Sequence, residues 1–173
     1  REEGLIEHIA FTSHQPGGEV RQILNSGKFV GGLVGVNILN FPYRWDGVEA
    51  AVQGGYGVVA MNPLGGGAIP THHKELAFLA QAGETPTEAA LRFIISHERI
   101  TCALVGFANR EQVRDAVKAV DGFSPVSSSE IARMKTRLGA AFADLCTGCQ
   151  YCDSCPEGIQ IPKLMEAYNH KKL

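Results

Sequence analysis

The sequence predicts an α/β fold of four parallel strands alternating with helices, about half of a (β/α)₈ TIM barrel, followed by a C-terminal helix and a cysteine-rich tail. Short apolar runs alternate with helical patterns over the first 125 or so residues, which is typical of parallel strands joined by right-handed crossovers. No Gly-x-Gly-x-x-Gly follows the first strand, which disfavours a dinucleotide-binding Rossmann fold. A complete barrel needs eight strands and about 250 residues, whereas this chain has 173.

The four predicted strands are short apolar runs that end in polar or glycine-rich loops. They cover residues 6–13, 33–39, 57–61 and 102–105, and the second contains Asn37. In half a barrel the inner strand faces lose the side-chain layers that the other strands contribute, so we expect apolar side chains to be bared there. Some of the residues expected on that face are found among Leu33, Val36, Val58, Ala60, Leu104 and nearby apolar groups.

Apolar spacing and end caps predict the helices. Apolar residues at helical spacing predict helices over 20–24, 45–53 and 74–82. Thr85-Pro86-Thr87-Glu88 is a capping box with proline at the first helical position, and Ser127-Ser128-Ser129-Glu130 is another, for a helix reaching about residue 145. Between these two, a cap at Asn109 opens a helix with one apolar side, made of Val113, Val117 and Val120.

Composition and charge exclude some classes of protein and disfavour others. Hydrophobic residues make up 45% and charged residues 20% of the chain, which excludes global disorder. A net charge of −2 disfavours nucleic-acid binding, and no apolar run approaches the ~18–20 residues of a membrane span. The sequence has no signal-peptide pattern, so we expect a cytoplasmic protein. Because it opens on Arg1 rather than Met, we expect a fragment, a processed product or a trimmed chain.

Four of the five cysteines lie within ten residues, as Cys146-x₂-Cys149-x₂-Cys152-x₂-Cys155-Pro156. A disulfide framework usually spaces its cysteines widely, so this run predicts a metal or cluster site in a reducing compartment. Bacterial ferredoxins bind [4Fe–4S] clusters through C-x₂-C-x₂-C-x₃-C-P. We favour a 4Fe-4S cluster here, although the last gap is one residue shorter. Zinc is the alternative metal, since structural zinc sites also use C-x₂-C.

Cys155 is the favoured fourth ligand of this cluster. The alternative is Cys102, which opens a predicted core strand, where a buried free cysteine is common. The sequence leaves open whether the cluster transfers electrons or only holds the tail in place.

Two loops have the composition of a phosphate site. Pro63-Leu64-Gly65-Gly66-Gly67 follows a strand, at the end where barrel enzymes build their sites, and glycines let backbone N–H groups approach a phosphate. Residues 106–112 join the next strand to a helix N-terminus, which favours anions. The alternative is that these glycines only form turns.

Several segments together resemble the C-terminal half of an aldo/keto reductase. They are residues 37–44, 57–67 and 85–97, and Val105-Gly106-Phe107-Ala108-Asn109. The resemblance is to the branch with a C-terminal ferredoxin-like segment, which residues 146–162 resemble. It implies a barrel that reduces carbonyls with NADPH, in which this chain supplies strands five to eight. Residues 1–125 would then be the NADP-binding half barrel, and 126–173 the C-terminal helix and 4Fe-4S segment.

The resemblance also implies site residues. The family's catalytic Asp, Tyr, Lys and His come from the first four strands, so no catalytic residue is carried over and we expect this chain alone to be inactive. Thr12 and Ser13 would meet the carboxamide of NADP. Its pyrophosphate and adenosine would lie against Pro63, Leu64, Gly65, Gly66, Gly106, Phe107, Asn109, Arg110 and Gln112. The chain departs from the family at Leu33, where a Gln is frequent, and at Met61, where a Tyr is frequent; Arg110 is the basic residue placed for the 2′-phosphate.

Three histidines follow strands or precede helices. For His14 we favour a loop histidine that caps or faces solvent over an acid/base role, and a metal role is disfavoured for His72 and His73.

The intact protein is expected to be an NADP-linked oxidoreductase acting on carbonyls or alcohols. The alternative is a non-catalytic iron–sulfur module for electron transfer or interaction on a half-barrel scaffold. The expected partner is the missing N-terminal half of the barrel or a second copy in a homodimer, and a redox partner is left open.

Overall fold

Four parallel strands form one sheet in the computed structural model, which describes residues 3–97, 100–121, 123–139 and 141–173. The strands are β1 Phe11–Ser13, β2 Gly31–Gly35, β3 Gly57–Met61 and β4 Ile100–Leu104. Their order across the sheet is β1-β2-β3-β4, the same as along the chain. Each crossover therefore adds a strand on the same side, as in a barrel, and the predicted alternation of strands and helices is confirmed.

Helices follow each strand and continue into the tail. They are α1 Gly17–Asn25, α2 Phe41–Gly54, α3 Ala68–Thr71, α4 Pro86–Ile95, α5 Arg110–Asp121, α6 Ser128–Leu138 and α7 Ile161–Lys172. Single 3₁₀ turns lie at Gly65–Gly67 and Ala77–Leu79. No helix in the described ranges is long and apolar enough to cross a membrane.

The predicted caps form to different extents. At α4 the box is complete: the Glu88 N–H donates to Thr85 Oγ1 (3.2 Å) and the Thr85 N–H donates to the Glu88 carboxylate (2.8 Å). At α6 the Glu130 N–H donates to Ser127 Oγ (3.2 Å), but the Glu130 carboxylate accepts from buried Arg92 and from Gln81 instead of closing the box. Glu130 therefore ties α6 to α4.

Three strand boundaries differ from prediction. The strand predicted over 6–13 contains only Phe11–Ser13, and the strand predicted over 102–105 spans Ile100–Leu104. The second ends at Gly35, before Asn37. The Asn37 side-chain oxygen accepts from the N–H groups of Leu39 and Asn40 (3.0 and 3.1 Å), which turns the backbone out of the strand.

The predicted helix bounds differ from the structure more than the predicted strand bounds do. The helix predicted over 74–82 is wrong, because one 3₁₀ turn at Ala77–Leu79 suffices to bury Leu76 and Leu79. The helix predicted to reach residue 145 ends at Leu138, where Gly139 takes a φ of 48°; Ala140 lies outside the described residues. Helix α2 begins at Phe41, four residues earlier than predicted, with a proline in its first turn.

The core lies between the helices and one face of the sheet. Val34, Val58 and Ala60 point to this side and are at most 1% exposed. Phe41 and Phe93 pack against them in an aromatic cluster, with ring centroids 4.7 Å apart. Met134 and Leu138 of α6 belong to the same core, so the first helix after the half barrel packs on the barrel helices.

The opposite face of the sheet is open. Register pairs Leu33 with Val59 and Met61 with Leu104, and these side chains range from half-buried to 49% exposed at Leu104. Some of five residues were expected on the bared face: Leu104 is exposed and Leu33 is half-buried there, whereas Val36, Val58 and Ala60 are buried on the helix side. Cys102 is exposed rather than buried, because its register on β4 places it beside Val59 on the open face.

Candidate functional site

A cavity of about 920 Å³ opens at the carboxyl ends of β3 and β4. The loop after β3 forms one wall and the loop after β4 forms another, while the N-terminal part of α4 and one side of α5 complete it. This is the end of a parallel sheet at which barrel enzymes place their sites. The lining includes Asn62, Pro63, Leu64, Gly66, Gly67, His73, Glu88, Leu91, Leu104, Gly106, Phe107, Gln112, Asp115 and Lys118.

The glycine loop has a backbone shape that requires glycine. Gly65, Gly66 and Gly67 have φ of 62°, 66° and 94°, all in the left-handed region. A Cβ on Gly66 would have its nearest neighbour, Asn62 Oδ1, at 3.6 Å, so backbone conformation rather than lack of space demands the glycine there. The loop is closed by its own turns, since the N–H of Gly65 donates to Asn62 O (3.0 Å).

The start of α5 is held by side-chain caps. The Gln112 N–H donates to Asn109 Oδ1 (3.0 Å), which confirms the predicted cap. The Gln112 side-chain oxygen accepts from the Ala108 N–H (2.7 Å). The loop between β4 and α5 is therefore fixed by polar groups of the chain, and its helix N-terminus faces the side of the molecule where the cavity lies.

One cation and two carboxylates line the cavity on its α4 and α5 side. Lys118 Nζ lies 3.9 Å from Glu88 Oε1. The pKa of Glu88 is lowered, first by the Thr85 backbone N–H that it accepts and also by Lys118. Gln112, Asp115 and Lys118 recur every third residue, so the helix presents them on one side. That spacing is the signal from which Lys118 could have been found in the sequence.

The predicted cofactor residues divide into three groups. Pro63, Leu64, Gly66, Gly106, Phe107 and Gln112 line the cavity. Gly65, Asn109 and Arg110 belong to the same two loops but not to the lining. Thr12 and Ser13 lie two strands away on β1, where Ser13 Oγ accepts the Gln15 N–H (3.0 Å).

The cysteine segment, residues 146–155, lies between α6 and α7. All five cysteines of the chain are free, and the four in the segment are half-buried. Four thiols so close in sequence are the donor set that an iron–sulfur cluster or a structural zinc takes, and in that respect the residues fit such a group. In the described ranges, however, no three His, Cys, Asp or Glu side chains are grouped closely enough to hold a metal ion. The cluster therefore stays a prediction.

Polar contacts hold this segment against the rest of the protein. The Asn169 side chain of α7 accepts from the Cys146 N–H (2.9 Å) and donates to the Cys146 carbonyl (2.8 Å). Asn62 Nδ2, at the end of β3, donates to the carbonyl of Thr147 (2.6 Å). The rings of His14 and Tyr151 meet edge to face, with centroids 5.8 Å apart. The segment thus contacts the same carboxyl end of the sheet as the cavity.

His14 is half-buried beside a buried arginine. Its Nδ1 has no hydrogen-bond partner among the described residues. Burial, and secondarily the charge of Arg44, lowers the pKa of His14, so the ring is held neutral. The Arg44 Nη1 donates to the Gln15 carbonyl (3.0 Å). His14 is therefore a packed residue rather than a solvent-facing one.

The neighbouring His72 and His73 point to different elements. His72 Nε2 lies 2.8 Å from His170 Nδ1 of α7, and His73 Nε2 lies 2.9 Å from Thr87 Oγ1 of α4. They do not form a shared ligand pair.

Comparisons with known proteins bear on the fold alone. No family model and no curated protein matches the chain. Among solved structures, the holo and apo forms of aldo-keto reductase AKR11C1 from Bacillus halodurans match it with a TM-score of 0.61 and 21% identity. The match covers 79% of this chain and 51% and 52% of those chains, so the chain spans about half their length. This protein therefore has an α/β fold whose four parallel strands match about half of an aldo-keto reductase barrel.

Proposed function

We propose that this chain is the NADP-binding and cluster-binding half of an iron–sulfur oxidoreductase of the aldo/keto reductase type, corresponding to strands five to eight of the barrel. The intact protein would interconvert carbonyls and alcohols, with catalytic groups supplied from outside this chain. The cavity between the glycine loop and α5 is the observation that carries the proposal. It lies at the carboxyl ends of the strands, the glycine loop lines it, and its volume suits a nucleotide.

The size and walls of the cavity suit a nucleotide. Ligand pockets typically measure about 300–1,000 Å³, and this one measures about 920 Å³. Leu64, Leu104 and Phe107 provide an apolar wall for a base or sugar. The pyrophosphate would lie against the glycine loop and the α5 N-terminus, where the helix dipole favours anions, away from the Glu88 and Asp115 carboxylates.

Lys118 replaces Arg110 as the residue for the 2′-phosphate in this proposal. Lys118 lines the cavity and Arg110 does not. A phosphate near Lys118 would draw its ammonium away from Glu88, 3.9 Å distant. When bound, NADPH would supply the hydride. The residues of this chain would hold and orient the NADPH.

Substitution of one glycine tests nucleotide binding. Gly66→Ala in the glycine loop is expected to weaken NADP binding about tenfold, or ~1.4 kcal/mol, measured by calorimetry on the intact protein. Gly27→Ala is the matched control, because Gly27 has the same φ of 66°, lies after α1 and has open space where a Cβ would be added, with no atom within 4 Å. Equal affinities in the two variants would contradict a nucleotide in this cavity.

Metal analysis tests the cluster. Protein purified without oxygen should be brown, with about four irons and four sulfides per chain. Cys149→Ala should abolish the cluster, whereas Cys102→Ser should leave it intact, because Cys102 lies on the exposed sheet edge. Stoichiometric zinc without sulfide would contradict an iron–sulfur site and support the zinc alternative.

A non-catalytic electron-transfer or interaction module is the second candidate. It is favoured by the segment itself, whose four thiols remain partly accessible. The presence of four preceding βα units with a catalytic Tyr and Lys in the parent gene would favour the reductase, and their absence would favour the module.

A further inference from the structure

Arg44 is a buried cation without a counter-charge in the part of the chain that the structure describes. The residue lies in the first turn of α2 and is 4% exposed. Its guanidinium forms no ion pair with any carboxylate of the described residues. A buried charge that stays unpaired is strongly destabilising. The position therefore favours an anion that comes from elsewhere.

A second buried arginine shows the usual solution. Arg92 is 7% exposed, and its guanidinium lies 2.7 Å from a Glu84 oxygen and 3.3 Å from a Glu130 oxygen. Its Nη1 has no partner, but the two carboxylates balance its charge. Among the described residues Arg44 has instead a hydrogen bond from Nη1 to the Gln15 carbonyl (3.0 Å), and its buried Nε has no partner. The chain thus neutralises Arg92 and leaves Arg44 with both its charge and an N–H donor unmatched.

Another unpartnered polar atom lies at the same place. His14 follows β1, and its buried Nδ1 has no partner among the described residues. Gly35 ends β2, and a Cβ on it would lie 2.9 Å from His14 Nδ1 and 3.6 Å from Arg44 Nη1. Burial first and the charge of Arg44 second lower the pKa of His14, so a neutral ring stands beside the cation. The two side chains converge over a residue that has no side chain of its own.

This place belongs to the open face of the sheet, at the carboxyl ends of β1 and β2. Gly35 pairs in register with Met61 and lies two residues after Leu33, and both of those side chains point to the open face. The carboxyl ends of parallel strands are where barrel enzymes bind their ligands. The nucleotide cavity is a separate place, since neither His14 nor Arg44 lines it.

The available donors suit one small carboxylate. A guanidinium presents planar N–H donors that match a carboxylate, and His14 adds one more donor when its proton is on Nδ1. The pair of side chains has one positive charge, which a monoanion balances. A phosphate group carries about −1.5 to −2 at pH 7, more than this site neutralises. Burial strengthens the pairing, because charges attract more strongly where water is excluded.

We propose that Arg44 and His14 form a binding site for the carboxylate group of a small ligand, separate from the nucleotide cavity. A substrate class also follows, and that step rests on the proposed function. The carboxamide of NADP is expected at Thr12 and Ser13, directly before His14 in the sequence. The carboxylate beside it would then belong to the carbonyl substrate, which would be an oxo acid.

Acetate and acetamide test the site on the intact protein, because they have similar shapes and differ in charge. NMR signals of the His14 ring, assigned with His14→Gln, report binding at this place. We expect acetate to shift these signals to saturation and acetamide to bind about tenfold more weakly or worse, as for loss of a charge-assisted hydrogen bond. At equal ionic strength set with chloride, acetate should also raise the unfolding temperature.

Three variants assign the binding to Arg44. Arg44→Gln removes the charge, so the acetate affinity should fall about tenfold or more and the rise in unfolding temperature should disappear. Arg44→Lys keeps the charge, so it should still prefer acetate to acetamide at reduced affinity, and it serves if the glutamine variant does not fold. Arg21→Gln is the control, because Arg21 pairs with Asp46; the acetate Kd should stay within about twofold.

The outcomes separate this site from the proposed function. Equal binding of acetate and acetamide would overturn the site, and so would an acetate affinity that Arg44→Gln leaves unchanged. No acetate binding to the intact protein would mean that another part of that protein neutralises Arg44, which also overturns the site. In each case NADP binding, measured separately, decides the proposed function.

The oxo-acid assignment has its own test. Equal kcat/KM values for glyoxylate and for neutral glycolaldehyde would overturn that assignment, whereas a preference for glyoxylate that Arg44→Gln reduces would support it. Acetate binding by a protein that does not bind NADP would overturn the proposed function and the oxo-acid assignment, and would leave the carboxylate site standing.

Discussion

The two faces of the sheet differ in what covers them, although the same strands form both. On one face Val34 and Val58 are 1% exposed under the helices. On the other, Leu104 is 49% exposed and Leu33 and Met61 are half-buried. Alternation along each strand decides which side chain points to which face. We expect groups outside the described residues to cover the open face.

Apolar burial is concentrated on the covered face. Phe41, Trp45 and Phe93 pack with ring centroids 4.7–5.7 Å apart.

The two edge strands, β1 and β4, each leave one side unpaired within the sheet. Helix α5 adds to the open surface, since Val113, Val117 and Val120 are 42–53% exposed. The open face, the two edges and α5 together are what a further set of strands and helices would cover.

The largest expected effect is on the stability of the chain as a monomer, in which the open face would remain in water. Leaving even about 500 Å² of apolar surface in water forgoes ~12 kcal/mol at 25 cal/mol per Å², comparable with the stability of a whole domain. We therefore expect no stable monomer: either the other half of the barrel covers the face, or two copies pair about a two-fold axis. Mass spectrometry and sedimentation at low concentration would decide between them. A stable, monodisperse 18.6 kDa monomer that binds no ANS would contradict this expectation.

The next largest effect lies on the covered face. Phe93→Ala should cost about 3–5 kcal/mol of unfolding free energy, because it empties a fully buried ring position. Denaturant unfolding of the assembled protein measures it. Leu5→Ala is the control, with a change within about 0.5 kcal/mol, since that side chain is 80% exposed. If the two variants lost similar amounts of unfolding free energy, Phe93 would not belong to the core of the assembled protein.

Leu104→Ala measures whether the open face is covered in the assembled protein. If other strands pack on it, the substitution should cost about 2–3 kcal/mol, as for a buried leucine. If the face stays in water, the cost should remain within about 0.5 kcal/mol. We expect the larger value, and the smaller one in an assembled protein would show that the assembly forms through another surface.

Local signals allowed the sequence to predict much of the covered side. Strand β3 matches its predicted bounds, Gly57–Met61, because a purely apolar run there is bounded by glycine and asparagine. The predicted cap of α4 is confirmed, because Thr85 and Glu88, which form it, lie within four residues of each other in the sequence. The helix expected over 74–82 failed because the leucine spacing that suggests a helix also fits a single buried turn.

Contacts between distant segments account for what the sequence did not predict at the site. The glycine loop was predicted from its own residues, and so was the cap at Asn109. The hydrogen bond from Asn62 to Thr147 joins residues 85 positions apart, and no local pattern encodes it. The same holds for the ring contact of His14 with Tyr151, which turned an expected loop histidine into a packed one.

The smallest expected effect concerns His14, which follows edge strand β1 and whose ring contacts Tyr151 of the cysteine segment. Burial lowers the pKa of His14 below its usual 6.5, so the folded state binds fewer protons at this site than the unfolded state. The stability from neutral His14 is complete above pH 6.5 and is lost as pH falls through the lower, folded-state pKa. His14→Gln should therefore flatten the slope of unfolding free energy between about pH 7.5 and 5.5. His8→Gln, at an exposed histidine, is the control for the substitution itself. Equal slopes in wild type and His14→Gln would mean that His14 is protonated as readily in the folded protein as in the unfolded chain.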